Sequence, residues 1–142
     1  MTKELSIKEI KEEIIEKLMN NFDILDYFRE YSKELQIAKF RNTLIFDHDT
    51  SQNHGSYIAV EVSEYSRPCS CNIGDRSYSV LIKMSHEKED KICDMAETVS
   101  EIVNKLYPSL RKFANVSVKT TEHGISNVEY EKLHRVISFI IE

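Results

Sequence analysis

The longest regular pattern of apolar positions lies in residues 87–107. Its apolar residues recur three and four positions apart, which is the spacing of a single helical stripe. They are Ile92, Met95, Ala96, Val99, Ile102, Val103 and Leu106. Pro108 cannot continue a helix, so the pattern predicts a helix that ends just before it. A stripe of this length has to be buried against another apolar surface, and a sheet is the expected partner.

Two shorter helices are predicted ahead of the sheet. Ser6 and Glu9 have the spacing of a capping box, so the first helix is expected to begin there and to fray near Asn20. Its apolar stripe is Ile7, Ile10, Ile14, Ile15 and Leu18. Asp23 is predicted to cap a second helix over residues 23–35, because its carboxylate can accept hydrogen bonds from the first turn.

Alternating apolar and polar positions predict four strands, and a short apolar run at residues 43–46 predicts a fifth. The alternating stretches are residues 57–63, 77–84, 115–121 and 135–141. We expect the long helix to pack on the sheet face that carries Val80, Ile82, Val116 and Val118.

The last predicted strand has apolar residues on both of its faces. Ile137, Phe139 and Ile141 share one face, while Val136 and Ile140 share the other. Such a strand is expected to be covered on both sides or to contact another subunit.

Together these elements predict an α+β fold. It has a mainly antiparallel sheet of four to five strands, packed by one long central helix, with one or two N-terminal helices. The 142 residues are expected to form one domain, with a helical segment at 1–36 and the sheet and central helix at 43–142. The polar connections at residues 47–56 and 64–76 are predicted to be exposed, mobile loops.

Composition and charge narrow the class of partner. The formal net charge of -5 disfavours general electrostatic binding to nucleic acid or to an anionic membrane surface. No apolar run approaches the roughly 20 residues of a membrane span, and the N-terminal residues lack the apolar core of a signal peptide. The chain is therefore expected to be intracellular, with its three cysteines as thiols.

Two clusters could carry chemistry, and each has an ordinary structural interpretation. Cys69 and Cys71 are spaced too closely for a usual structural zinc site, and no second pair accompanies them. The acidic and histidine residues of 47–49 are typical of a solvated turn. Four of the five histidines and the remaining cysteine are scattered along the chain: His48, His54, His86, Cys93 and His123. We expect Cys93 to lie beside the long helical stripe.

Basic residues also gather in two places. They are Arg29, Lys33, Lys39 and Arg41 near the second helix, and Arg111, Lys112 and Lys119 near the fourth strand. Acidic or apolar residues interrupt each group, which favours an ordinary charged surface over a nucleic-acid site. We therefore expect no catalytic residue, no metal site and no cofactor.

The order of these elements resembles the tail terminator (tail-completion) proteins of long-tailed bacteriophages and phage-like particles. The resemblance is carried by SYSVLIKMSHE leading into DKICDMAETVSEIVNKLYP, then NVSVKTTEHG, then RVISFII, and the helix IKEIKEEIIEKL also fits. The long connection at residues 64–76 and the helical segment at residues 23–35 elaborate on the family pattern.

The resemblance implies a non-enzymatic structural protein. Members of the family form a ring, typically a hexamer, on the last ring of the tail tube, where they stop tube growth and present a surface for the head or neck. The implied partners are other copies of the chain, a tail tube protein and a head-completion or neck protein. DNA would pass through without specific binding, and no membrane would be involved. The implied location is the virion tail, after synthesis in the host bacterial cytoplasm.

The expected contact sites are a hairpin tip, the cysteine-containing loop and the last strand. The residues are His54, Gly55, Arg67, Cys69, Cys71, Asn72 and Phe139. Two alternatives remain open. One is a small monomeric or dimeric ligand-binding or regulatory domain. The other is a metal-dependent enzyme that uses Asp47, His48, Asp49 and His54.

Overall fold

The computed structural model describes residues 7–28, 44–47, 56–65, 77–86, 89–123 and 129–141. The elements in these ranges are α1 (Ile7–Met19), α2 (Phe22–Tyr27), β1 (Ile45–Phe46), β2 (Tyr57–Tyr65), β3 (Ser77–Ser85), α3 (Glu89–Leu106), β4 (Arg111–His123) and β5 (Glu129–Ile141). The predicted α+β class is confirmed. Within the described ranges, no helix has both the length and the apolarity needed to cross a lipid bilayer.

The five strands form one sheet with the order β1-β2-β3-β5-β4. The short strand β1 runs parallel to β2, and every other neighbouring pair is antiparallel. Because α3 connects β3 to β4 and β5 returns between them, the last strand lies inside the sheet. Strand β4 is left at one edge.

Strand pairing identifies the face that packs against the helices. Val60 pairs with Ile82, and Ile82 pairs with Ile137, so these three side chains form a row across β2, β3 and β5. All three are fully buried in one hydrophobic cluster with α1 and α3 residues. We call this side of the sheet the helix face, and the opposite side the distal face.

The helix face is shared between two helices. Helix α1 packs on β2, whereas α3 packs mainly on β5 and β3. The hydrophobic cluster includes Ile14 of α1 and Val99 of α3, both fully buried. Full burial of an aliphatic side chain stabilises the fold by about 1.5–3 kcal/mol, so both helices contribute substantially to the core.

The two helices are also tied together at one end. The Tyr107 hydroxyl donates a hydrogen bond to Glu13 Oε2 at 3.2 Å. Burial of the phenol, followed by the negative charge of Glu13 and this hydrogen bond, raises the Tyr107 pKa far above its usual value of 10.0. The phenol is therefore neutral at physiological pH and serves as a donor.

The predicted facing of β4 is wrong. Asn115 pairs with Ile137 of the helix face, while Val116 pairs with Val136 and Val118 with His134. The two valines therefore lie on the distal face, where Val116 is 49% and Val118 is 39% exposed. Alternation correctly groups the valines together, but neither helix packs substantially on β4 to bury them.

The start of the second helix also differs from the prediction. Asn21, and not Asp23, is the N-cap of α2. Its Oδ1 accepts hydrogen bonds from the backbone N–H groups of Asp23 at 2.9 Å and Ile24 at 3.1 Å. Asn caps as well as Asp does, and Asp23 instead lies in the first turn, where the helix dipole favours an acid. Ser6 and residues 29–35 lie outside the described residues.

Candidate assembly surface

Strand β4 presents an open edge. It is the terminal strand of the sheet, so no described strand pairs with its outer side. Most of its described side chains are exposed, namely Arg111, Lys112, Phe113, Val116, Ser117, Val118 and Lys119. An edge strand carries unpaired N–H and C=O groups that can form hydrogen bonds with another strand. The exposure shows that this edge is accessible.

An apolar strip runs along this side of the distal face. We call Val116, Val118 and Val136 the valine strip. Val116 and Val136 are direct partners in the β4–β5 pairing, and Val136 is only partly buried. Leu81 lies on the same face of β3 and is 37% exposed. The apolar surface therefore continues from the open edge toward the middle of the sheet.

Arg135 holds β4 in this orientation. Its Nε donates to Asn115 Oδ1, and its Nη1 donates to Ser117 Oγ, each at 2.6 Å. Hydrogen bonds from a guanidinium are among the stronger ones in proteins. Because Asn115 and Ser117 are fixed on the helix face, Val116 between them must point to the distal face.

A β-bulge marks the beginning of the regular edge. The pairing of β4 with β5 shifts between Arg111 and Ala114, and Lys112 has a φ of 53°. A non-glycine residue in this left-handed region carries strain on the order of 1–3 kcal/mol. The bulge increases the local twist of the strand, so uninterrupted edge geometry begins at Ala114.

The β4–β5 pair extends beyond the rest of the sheet. The β3–β5 pairing stops at Ser85 and His134, whereas β4–β5 pairing continues to His123 and Glu129. Residues 119–123 and 129–133 thus pair only with each other among the described strands. We call these residues the hairpin arm. Its five residue pairs give it a length of about 17 Å.

The distal face is covered where β2 lies beside β1. Tyr57 is 2% and Ala59 is 1% exposed, and both form a second small cluster with Phe46. The rings of Phe46 and Tyr57 meet edge to face at a centroid distance of 6.4 Å, and the Tyr57 ring lies 6.3 Å from that of His134. Farther along β2, Glu61 and Ser63 on the same face are exposed, so the cover extends only over the start of this strand.

The expected contact residues have different outcomes. Phe139 is 1% exposed and packs against Tyr107 at a ring distance of 6.1 Å. It pairs with Val80 on the helix face, so its side chain belongs to the core and is unsuited to an interface. Six of the expected residues lie outside the described residues: His54, Gly55, Arg67, Cys69, Cys71 and Asn72.

The described residues contain no group of three or more His, Cys, Asp or Glu side chains that could hold a metal ion. Asp47 is the one member of the alternative metal set inside the described ranges.

His86 is buried, with its Nε2 atom 3.0 Å from the Tyr27 carbonyl oxygen. Its position indicates a structural tie between the end of β3 and α2. Cys93 is exposed on α3, contrary to the expectation that it lies beside the apolar stripe.

A shallow cleft of about 490 Å³ lies between the first two helices and α3. Its charged lining residues are Lys17, Asp23, Glu101 and Lys105, and all four are exposed. Two lysines and two acids balance each other, and no lining side chain is buried. The cleft therefore lacks the enclosed polar groups that usually orient a small ligand.

Comparison with known proteins adds no relative. No protein-family model matches the chain, and no curated protein matches it.

Proposed function

We propose that this protein is a non-enzymatic assembly subunit that caps the end of a phage or phage-like tail tube as a ring. The observation that carries the proposal is the hairpin arm. Around it lie the open β4 edge and the valine strip, which place backbone and apolar groups for association on one side of the molecule.

The low stability expected of a two-stranded arm favours contact with a partner. A two-stranded ribbon is only marginally stable in water by itself, because it lacks a third strand or a helix to cover it. The arm pairs over residues 119–123 and 129–133, past the last residue of β3. Among the described residues no third strand pairs with the arm, and contact with a neighbouring subunit would add one along its length.

The order of elements supports the choice of assembly. Two antiparallel strands, a long amphipathic helix and two further antiparallel strands follow one another in this chain. This order resembles that of tail terminator proteins. The partners in this proposal are other copies of the chain, typically six in a ring, a tail tube protein and a head-completion or neck protein. The net charge of -5 suits a ring through which DNA passes without sticking.

Trimming the arm tests the role of the surface. In the test variant, Asn-Gly replaces residues 120–132, because Lys119 and Leu133 are partners that a two-residue turn can join. We expect this variant to remain folded, since the arm lies outside the β3–β5 pairing, but to lose the ring in native mass spectrometry and electron microscopy. The matched control is Phe22→Ser, which changes an 84% exposed residue on α2 and should leave the ring intact. A trimmed variant that still forms rings would contradict the proposal.

Deletion of the gene from the phage that encodes it tests the proposed role in tail assembly. Loss of the protein should give tails of abnormal length that fail to join heads, and the full chain supplied in trans should restore normal tails. The trimmed variant should not restore them. Normal, head-joined tails from the deletion strain would overturn the assignment, and so would turnover of a small substrate by the purified protein.

The second candidate is a small ligand-binding domain that acts as a monomer or dimer, and the shallow cleft beside Lys17 and Lys105 is where it would hold its ligand. Light scattering separates the two functions, because a ring subunit should form a large closed assembly. A stable monomer at all concentrations, together with saturable binding of a small molecule that Lys105→Ala weakens, would favour the ligand-binding domain.

A further inference from the structure

We propose that the β4 edge pairs antiparallel with the β4 edge of a second copy, across a two-fold axis at Ser117. The partner is this chain itself, and the contact joins two five-stranded sheets into one. A two-fold contact is closed after two copies, so it produces a dimer and not a ring. The inference goes beyond the proposed function and does not depend on it.

The faces of the sheet restrict how two copies can pair. A two-fold axis perpendicular to the sheet keeps both distal faces on the same side, so distal residues must pair with distal residues. With the axis at Ser117, Val116 of one copy lies beside Val118 of the other. The same register pairs Ala114 with Thr120 and Asn115 with Lys119.

Neighbouring registers fit less well. An axis at Val116 would place Val118 beside Ala114, and an axis at Val118 would place Val116 beside Thr120. Only the Ser117 axis gives both valines a valine partner. Cross-strand pairs of β-branched residues stabilise a sheet. Val116 and Val118 are 49% and 39% exposed in the isolated chain, so each can pack part of its exposed surface against a valine of the other copy.

Charge does not oppose the contact. Lys119 is the one charged residue in positions 114–120, and in this register it faces Asn115 of the other copy. The backbones of the two Lys119 residues are about 13 Å apart along the strand direction, which exceeds the Debye length of about 8 Å at physiological salt. Their mutual repulsion is therefore largely screened.

The bulge limits the length of this pairing at one end. It ends regular geometry before Ala114, so the two-fold axis at Ser117 makes the paired segment run from Ala114 to Thr120, while the regular edge itself continues to His123. Residues 114–120 provide an uninterrupted paired segment centred on Ser117. Most of the arm stays outside the dimer contact and remains available for a different neighbour.

Cysteine cross-linking tests the axis directly. In a chain with Cys69, Cys71 and Cys93 changed to Ser, Ser117→Cys places one thiol from each copy at the axis. Paired residues in an antiparallel sheet have Cα atoms about 4.5–5.5 Å apart, which lies within the range for a disulfide. Mild oxidation should convert most of this variant to a covalent dimer on a non-reducing gel.

Lys119→Cys in the same chain is the matched control. Its two thiols are about 13 Å apart along the strand direction, too far for a disulfide, so this variant alone should give no covalent dimer on the gel. Mixing it with an Asn115→Cys chain should produce a heterodimer, because these two positions face each other. A Ser117→Cys chain that does not cross-link, or a Lys119→Cys chain that cross-links equally well, would overturn the proposal.

A second variant keeps the test decisive if Ser117→Cys disturbs the Arg135 hydrogen bond. Val118→Lys changes an exposed residue and places a charge beside Val116 of the other copy. Its dimer dissociation constant, measured by sedimentation, should rise at least about tenfold, while its melting temperature at low concentration stays unchanged. An unchanged constant would contradict the proposed register.

Arm-trimmed chains should still dimerise, so loss of the ring and loss of the dimer are distinguishable.

Discussion

The distal face has two halves that differ in burial. On β2, Tyr57 and Ala59 are 2% and 1% exposed, while on β4, Val116 and Val118 are 49% and 39% exposed. Tyr57 and Ala59 form a small cluster with Phe46 of β1. The two valines lie on an edge strand and belong to no buried cluster of the described residues. An apolar side chain on an edge without a cover marks a surface on which another molecule can pack.

The largest effect is expected on the helix face. Val99→Asp should prevent soluble folding, because Val99 is fully buried and an unpaired buried carboxylate costs several kcal/mol. Small domains have only about 5–15 kcal/mol of stability in total. The matched control is Val118→Asp, which should lower the unfolding free energy by only about 1–2 kcal/mol, because Val118 is 39% exposed and Asp is disfavoured in strands. Thermal unfolding of both variants provides the check, and an unchanged melting temperature for Val99→Asp would contradict the packing of α3.

The next effect compares the two halves of the distal face directly. Tyr57→Ala should destabilise the fold by about 3 kcal/mol, because it removes a large buried ring that contacts Phe46 and His134. Val116→Ala should cost no more than about 1 kcal/mol, since about half of that side chain is already exposed. Chemical denaturation at a protein concentration too low for association measures both. Equal losses of unfolding free energy in the two variants would contradict the difference in burial between the two halves of the distal face.

A smaller effect concerns the link between α1 and α3. Tyr107→Phe should cost about 1 kcal/mol at neutral pH, because it removes a partly buried hydrogen bond to Glu13. The raised Tyr107 pKa makes this contribution pH-dependent. A group whose pKa is higher in the folded state stabilises the fold below its unfolded pKa, so the contribution should decline above about pH 10.

The measurement for Tyr107 is urea denaturation of wild type and Tyr107→Phe from pH 7 to pH 11. The wild type should lose its advantage over the variant as the pH rises above 10. A constant difference between the two proteins over this range would show that folding does not raise the Tyr107 pKa.

The smallest effect concerns Cys93. Its exposure on α3 predicts rapid alkylation of the native protein, with little change in melting temperature. Peptide mapping after a short treatment with iodoacetamide measures the labelling, and Cys93→Ser supplies the control. Labelling of Cys93 only after unfolding would contradict its exposure and would indicate that it is buried beside the apolar stripe of α3.

Periodicity in the sequence predicted where the helices and strands lie, but it did not always predict which face of the sheet a strand's apolar side chains occupy. The stripe through Val99 correctly gave α3 and its buried side, because a helix that is apolar on one side has only one way to face a core. The alternation on β4 correctly grouped Val116 with Val118. It did not determine which face they occupy, since that depends on how far the helices extend across the sheet.

The candidate surface depends on features that local patterns do not show. The hairpin arm arises because β5 is longer than its β3 partner, and a pairing register requires the fold. The polar residues Asn115 and Ser117 are the one signal in the sequence, since Arg135 binds both of them on the helix face. Phe139 looked suited to an interface because its strand is apolar on both faces, but its side chain points into the core.

Hydrogen exchange at two protein concentrations tests most directly whether copies associate through the β4 side of the sheet. At high concentration, peptides that cover residues 114–120 should gain protection, because their outer N–H groups acquire partners. Peptides from β2 should be protected equally at both concentrations. Unchanged exchange of β4, together with a monomer by light scattering throughout, would contradict the account.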